Sequence, residues 1–132
     1  ARELLNRKIK RRESFRPFAP AILCEHVGDF FEETGPVPFM EKVYPVRAEK
    51  RALIPEVTHV DGTGRLQTVS ESDNLKFYNL LSFFYKKTGI PILLNTSFNE
   101  NEPIVNSPQE ALACFQRTEM DMLVLENFVI RR

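Results

Sequence analysis

The stretch "SESDNLKFYNLLSFFYKKTGIPILLN" (70–95) decides the fold class, because it joins the clearest helix of the sequence to an apolar strand. Apolar residues at 77, 80, 81, 84 and 85 follow the helical period, which predicts a helix within 70–89 that Ser72 or Asp73 caps. Gly89 suits the helix end, and residues 90–95 read as a strand buried on both faces. A helix leading directly into a buried strand favours an α/β or α+β fold.

The flanking segments extend this pattern on both sides. We predict helices over 1–9, part of 28–34 and 107–118, where Ser107 and Glu110 form a capping box and Pro108 takes the first helical position. Strands are expected over 20–27, 41–49 and part of 120–132, together with a hairpin of 57–60 and 65–69 around the Asp-Gly-Thr-Gly turn. Residues 1–132 are therefore predicted to form a single domain, with a twisted mixed β-sheet and flanking helices.

Composition narrows the class of protein. The 132 residues have zero net charge and are 42% hydrophobic, and no apolar stretch approaches the ~20 residues of a membrane span, so we expect no membrane association. No secretion signal is visible, and Cys24 and Cys114 read as buried, reduced thiols, which predicts a cytoplasmic protein. His26 and His59 have no metal-ligand spacing with the cysteines, so no protein-bound metal is expected.

Positive charge is concentrated at the start of the chain, in and before the segment "IKRRESFRPFAPAIL" (9–23). Residues 1–16 hold seven basic and two acidic residues. A nonspecific nucleic-acid binder usually has a larger basic excess, so a local site for a small anion fits better. Arginine and lysine hold phosphate or carboxylate by charge-assisted hydrogen bonds. The alternative is a solvated basic face.

Two further stretches carry polar groups suited to an anion. Asn95, Thr96, Ser97 and Asn99 follow the buried strand and offer hydroxyls and amides for phosphate, base or ribose. Arg65 and Gln67 share one face of a strand beside the Asp-Gly turn. The alternatives are a turn that satisfies its own backbone and an exposed arginine.

The chemistry suggested by these residues is electrostatic. Asp61 in the turn is a weak candidate for contacting the Mg²⁺ of a nucleotide. The sequence contains no Ser/His/Asp arrangement, no GxxxxGK[ST] and no GxGxxG. A pocket of arginine, lysine and amides suits positioning and charge neutralisation on phosphoryl or acyl-phosphate groups.

Four ordered motifs together resemble one family. "IKRRESFRPFAPAIL", "HVDGTGRLQTV", "TGIPILLNTSFN" and "EPIVNSPQEALACFQRTEMDMLVLENFVI" are similar to the C-terminal domain of the O-carbamoyltransferases that act on nodulation factors, cephamycin-type antibiotics and tobramycin. The resemblance covers nearly the whole chain. It implies a YrdC-like fold that uses carbamoyl phosphate and ATP to make carbamoyl adenylate. A Kae1-like N-terminal domain, absent here, would then pass the carbamoyl group to a hydroxyl.

The resemblance also assigns roles to individual residues. Lys10, Arg16 and Arg65 match the catalytic basic residues that hold the carbamoyl phosphate and the nucleotide phosphates. The substrate- and nucleotide-binding positions are Arg12, Gln67, Asn95, Thr96, Ser97 and Asn99. ATP with its Mg²⁺ is the implied cofactor.

One departure and two other functions stay open at this point. Many members of the family read Val-Arg-Gly where this chain has Glu100-Asn101, so an expected positive charge is missing. A nucleotide- or RNA-binding module without catalysis is one alternative, although specific nucleic-acid binding is not expected from so local a charge. A degenerate regulatory domain is the other. We also expect exposed phenylalanines where another domain packs, with Phe30, Phe31 and Phe39 as candidates.

Overall fold

The structure is a computed structural model that describes residues 2–11 and 18–132. It confirms a mixed α/β fold. The described residues fall into two compact units, one of 18–96 and the other of 2–11 with 97–132. The single-domain boundary and the YrdC-like label stay predictions.

The unit of 18–96 is built on a mixed three-stranded sheet. Its central strand β1 (Ala19–Leu23) runs parallel to β4 (Gln67–Val69) and antiparallel to β5 (Ile92–Asn95). All five residues of β1 are buried. Because side chains alternate across a strand, Ala21 and Leu23 pack against α3 (Leu75–Thr88), whereas Ile22 enters a second apolar cluster on the opposite face.

Shorter elements complete this unit. A 3₁₀ turn (Cys24–His26) and helix α2 (Val27–Phe30) follow β1, so the predicted strand over 20–27 ends at Leu23. β2 (Tyr44–Pro45) pairs antiparallel with β3 (Thr63–Gly64), and a second 3₁₀ helix spans Ala48–Leu53. The predicted strand over 41–49 therefore reduces to two residues and a single bridge between Val46 and Phe31.

The unit of 2–11 and 97–132 contains an N-terminal helical segment, one further helix and a C-terminal β-hairpin. Helix α1 (Arg2–Leu5) continues as a π-helical segment (Asn6–Lys10). Helix α4 (Pro108–Arg117) packs on the hairpin of β6 (Met122–Leu125) and β7 (Phe128–Arg131), with Ala111, Phe115 and Leu123 at the centre of the contact. Ser107 caps α4 as predicted, accepting a hydrogen bond from the Glu110 N–H.

The predicted hairpin of 57–60 and 65–69 is wrong. The tight turn exists, because Gly62 has φ of +81° and the Asp61 side chain accepts from the Thr63 N–H. Its flanks do not pair with each other, however: Thr63–Gly64 pairs with β2, and 67–69 joins β1. Val57 is buried and Val60 is fully exposed, and residues three positions apart lie on opposite faces of a strand, so the first predicted strand has no continuous apolar face.

Burial corrects three other expectations. Phe30 and Phe31 lie in the core rather than on the surface, and only Phe39 of the three candidates is exposed, at 85%. Of β5 only Ile92 is buried, because β5 is an edge strand of its sheet. Cys114 is buried as predicted, whereas Cys24 is only half-buried. None of the helices in the part of the chain described here is long and apolar enough to cross a membrane.

Candidate functional site

Among the predicted site residues that the structure describes, Lys10 is the most constrained. It lies at the end of the π-helical segment, and only 3% of the residue is exposed. Its ammonium donates to the carbonyl oxygens of Ser97 and Asn99 at 2.6 and 2.7 Å and to Asn99 Oδ1 at 2.7 Å. Ser97 Oγ lies 3.3 Å away. An ammonium has three protons to donate, so Lys10 can bond several of these oxygens at once. These bonds hold the loop 97–99 around the buried positive charge.

The same loop is tied to itself and to α4. Ser97 Oγ donates to Asn99 Oδ1 at 2.7 Å, and Asn99 Nδ2 donates to the Glu102 carbonyl at 2.7 Å. The Glu102 carboxylate pairs with Arg117 at 2.6 Å. Three predicted residues, Lys10, Ser97 and Asn99, are thus brought together in one network.

Glu102 is an acidic residue that the sequence did not single out. Hydrogen bonds from its own N–H and from the N–H groups of Asn101 and Glu100 lower the pKa of its carboxyl from 4.5 to about 2. The buried Cys114 thiol also bonds Glu102, and burial, that bond and the neighbouring charge raise the pKa of Cys114. Glu102 and Arg117 are 15 positions apart, so no local sequence pattern predicts their ion pair.

Acidic partners account for part of the basic run. Arg11 pairs with Glu100 at 3.1 Å, and Lys8 pairs with Glu119 at 3.3 Å. Glu100 occupies the region where the resemblance expects a positive charge, and its side chain is only 11% exposed. Glu100 therefore neutralises Arg11 of the basic segment. Arg12 and Arg16, the other predicted basic ligands, lie outside the described residues.

A second polar group lies in the unit of 18–96. Asn95, at the end of β5, donates through Nδ2 to Gln67 Oε1 at 2.7 Å, and Gln67 Nε2 donates to the Pro38 carbonyl at 3.0 Å. Thr96 follows Asn95 and is half-buried, whereas Arg65 precedes β4 and is exposed. Gln67 lines a cavity of about 310 Å³ with Pro38, Phe39, Asn74 just before α3 and Phe77 within it; Arg65 is not part of its lining.

Asp61 has a structural task in the turn. Its Oδ1 accepts from the Thr63 hydroxyl at 2.7 Å and from the Thr63 N–H at 3.0 Å, and these bonds lower the pKa of the carboxyl. No group of three or more histidine, cysteine or carboxylate side chains that could hold a metal ion occurs in 2–11 and 18–132. An Mg²⁺ contact by Asp61 therefore stays a prediction that depends on a bound nucleotide.

The class defined by these observations is a mixed α/β protein with amide-rich loops ordered by a buried ammonium and a glutamine. Residues 1–132 match the family described as carbamoyltransferase C-terminus, and the chain belongs to that family. It is 47% identical over 135 residues to nodulation protein NolNO of Sinorhizobium fredii, covering 99% of this chain and 20% of that protein.

Two other relatives are matched over a similar share of the chain. The chain is 46% identical over 135 residues to nodulation protein NolO of Bradyrhizobium diazoefficiens, covering 99% of this chain and 25% of the relative. It is 40% identical over 125 residues to a 3'-hydroxymethylcephem-O-carbamoyltransferase of Amycolatopsis lactamdurans, covering 93% and 24%. The chain thus spans about a fifth to a quarter of the relatives it matches, and the predicted resemblance to the O-carbamoyltransferases is confirmed.

Proposed function

We propose that this chain is the part of a carbamoyltransferase that binds carbamoyl phosphate and ATP and forms carbamoyl adenylate. A Kae1-like N-terminal domain of the same protein would then transfer the carbamoyl group to the hydroxyl of an acceptor. The observation that carries the proposal is the match of all 132 residues to the C-terminal part of the carbamoyltransferases. The greater length of the relatives supports a second domain.

The atoms of the proposed reaction balance only with water. Carbamoyl phosphate and ATP yield carbamoyl adenylate, phosphate and pyrophosphate when one water molecule takes up the phosphoryl group. The resulting carbamate then uses an oxygen lone pair to form a bond to the α-phosphorus of ATP. The bond from that phosphorus to the pyrophosphate oxygen breaks, and pyrophosphate leaves with the electron pair.

Charge stabilisation is the role proposed for the basic residues. Negative charge moves from the attacking carbamate oxygen to the leaving pyrophosphate, and fixed cations lower the energy of such a transition state. Arg16 and Arg65 are proposed to contact the phosphates. Lys10 was predicted to hold phosphate, but its ammonium donates to oxygens of Ser97 and Asn99, so its proposed role is to order that loop. Mg²⁺ would arrive with the nucleotide.

Equilibrium binding tests this assignment in the full-length protein. Titration calorimetry should show saturable, one-to-one binding of ATP with Mg²⁺ and of carbamoyl phosphate. Binding of ATP and RNA without carbamoyl phosphate would instead indicate the nucleic-acid module, and binding of none of the three would indicate a degenerate regulatory domain. Either result would contradict the proposed function.

A further inference from the structure

Gln67 has a fixed amide orientation. A backbone carbonyl can only accept, so the side-chain atom of Gln67 that lies 3.0 Å from the Pro38 oxygen must be the amide nitrogen. Oε1 of Gln67 then faces Asn95, and an oxygen without a proton can only accept. Asn95 must therefore turn its own amide nitrogen, 2.7 Å away, toward Gln67.

This chain of two hydrogen bonds determines what Asn95 offers to a ligand. One of its two N–H groups is used by Gln67, which leaves Oδ1 and the second N–H. Within residues 2–11 and 18–132, Oδ1 makes no hydrogen bond, and no fully buried side-chain oxygen lacks a partner. Oδ1 of Asn95 is therefore reached by solvent and open to a donor.

The sheet explains how two side chains from non-adjacent strands meet. β4 and β5 lie on either side of β1, with Gln67 opposite Ala21 and Asn95 opposite Ala19. Residues opposite each other in register share a face, as do Ala19 and Ala21 two positions apart. The two alanine methyl groups are small enough to let the amides bond across β1.

We propose that Gln67 is a positioning residue that makes Asn95 present an acceptor oxygen and one N–H to an amino-bearing group of the substrate. This inference rests on the proposed function. It changes the predicted role of Gln67: Gln67 orients Asn95, which binds the substrate, and does not bind the substrate itself. An acceptor beside a donor complements the amide edge of a carbamoyl group and also the amino edge of adenine. The shared chemistry is an exocyclic –NH₂ next to an acceptor.

A side-chain amide signal tests the orientation without any ligand. In the full-length protein, one Nδ2–H of Asn95 should resonate downfield because it bonds to Gln67. Gln67→Met, which keeps the length and loses the amide, should remove this shift, whereas Gln109→Met, the same change at an exposed position of α4, should not. An Asn95 signal that Gln67→Met leaves unchanged would overturn the proposal.

A double-mutant cycle on the binding of carbamoyl phosphate, and in parallel of ATP with Mg²⁺, tests the indirect role of Gln67. Gln67→Met should weaken binding about three- to tenfold, the order expected when one ordered side chain is released. Asn95→Ala should weaken binding more, and the double variant should equal Asn95→Ala alone. Losses that multiply would show that Gln67 touches the ligand itself, and an unchanged affinity of Gln67→Met would show that it orients nothing relevant.

Two pairs of ligands identify the amino group. Acetyl phosphate replaces the carbamoyl amine by a methyl group, and inosine triphosphate replaces the adenine amine by oxygen. The wild-type protein should prefer the amino-bearing member of one pair, and Asn95→Ala should abolish that preference. A wild type with no preference in either pair would overturn the amino-group assignment. If neither carbamoyl phosphate nor ATP binds, the proposed function fails, while the Nδ2–H signal still decides whether Gln67 orients Asn95.

Discussion

Lys10 shows at the scale of a single residue how a buried charge is accommodated. Burying an ammonium is costly unless oxygen atoms replace its water, and here main-chain and side-chain oxygens of Ser97 and Asn99 do so. We expect Lys10→Met to lower the free energy of unfolding by about 2 kcal/mol, because the variant removes a buried donor and leaves partly buried oxygens unpaired. Urea denaturation measures this change.

Lys8→Met is the matched control for Lys10→Met. Lys8 belongs to the same segment, but its side chain is 43% exposed and its partner Glu119 is 61% exposed. Exposed ion pairs contribute little, so the control should change the free energy of unfolding by less than about 0.5 kcal/mol. Equal effects of the two variants would show that Lys10 is not held by the loop 97–99.

Glu102 predicts an acid-sensitive contribution to stability. Its pKa in the folded protein, about 2, lies below the ordinary value of 4.5. The unfolded chain therefore takes up this proton first as pH falls, so the contribution is complete above about pH 4.5 and is lost toward pH 2. When the pH is lowered from 5.5 to 3, the urea concentration at the midpoint of unfolding should fall more in the wild type than in Glu102→Gln.

Glu119→Gln is the control for this pH dependence. Glu119 is an exposed acid of the same unit, and it makes its ion pair on the surface. The control variant should therefore keep the pH dependence of the wild type between pH 5.5 and pH 3. A wild-type slope in Glu102→Gln, or a flattened slope in Glu119→Gln, would contradict the assignment of the acid-sensitive contribution to Glu102.

Residue types were predictable from the sequence where chemistry is local. The amides and hydroxyls of Asn95, Ser97 and Asn99 directly follow an apolar strand, and that change of polarity marks the loop. The partners of these side chains were not predictable, because Lys10 is 87 positions from Ser97 and Gln67 is 28 positions from Asn95. Only the folded chain brings such residues together.

At the scale of elements, helix α3 begins later than its polar flank suggests. Asn74 is its cap and accepts from the Phe77 N–H at 3.1 Å, whereas Ser70, Ser72 and Asp73 bond one another in the preceding turn. Asn74→Ala should therefore lower the free energy of unfolding by about 1 kcal/mol, measured by thermal or urea denaturation. Ser72→Ala should have a clearly smaller effect, and the reverse order would place the cap at Ser72.

The failed hairpin shows why element pairing is harder to predict than element type. Asp61 and Gly62 specify a tight turn, and that turn forms. Which strand joins which is decided by burial across the whole sheet: Leu66, Thr68 and Val69 are buried, and β4 adds to β1 in parallel. In the segment 57–60, only Val57 is buried, and Val60 is fully exposed. The local sequence pattern of residues 58–69 therefore does not predict which strands pair.

At the scale of the whole molecule, the family and the mixed α/β fold were predictable, because four motifs in fixed order are far more specific than any single one. The same motifs did not reveal that the two groups of predicted site residues are ordered by different devices. Lys10 orders Ser97 and Asn99, and Gln67 orders Asn95. Both devices depend on contacts between residues distant in sequence.

The exchange of labelled pyrophosphate into ATP, with carbamoyl phosphate present, is the sharpest test of the proposed adenylation. We expect the full-length protein to catalyse this exchange, and we expect Arg16→Ala and Arg65→Ala to abolish it without unfolding the protein. Arg131→Ala, at an exposed position of β7, should exchange normally. Exchange that proceeds equally well without carbamoyl phosphate would contradict the proposed formation of carbamoyl adenylate. Exchange at a near wild-type rate in Arg16→Ala and Arg65→Ala would contradict the proposed role of these two arginines.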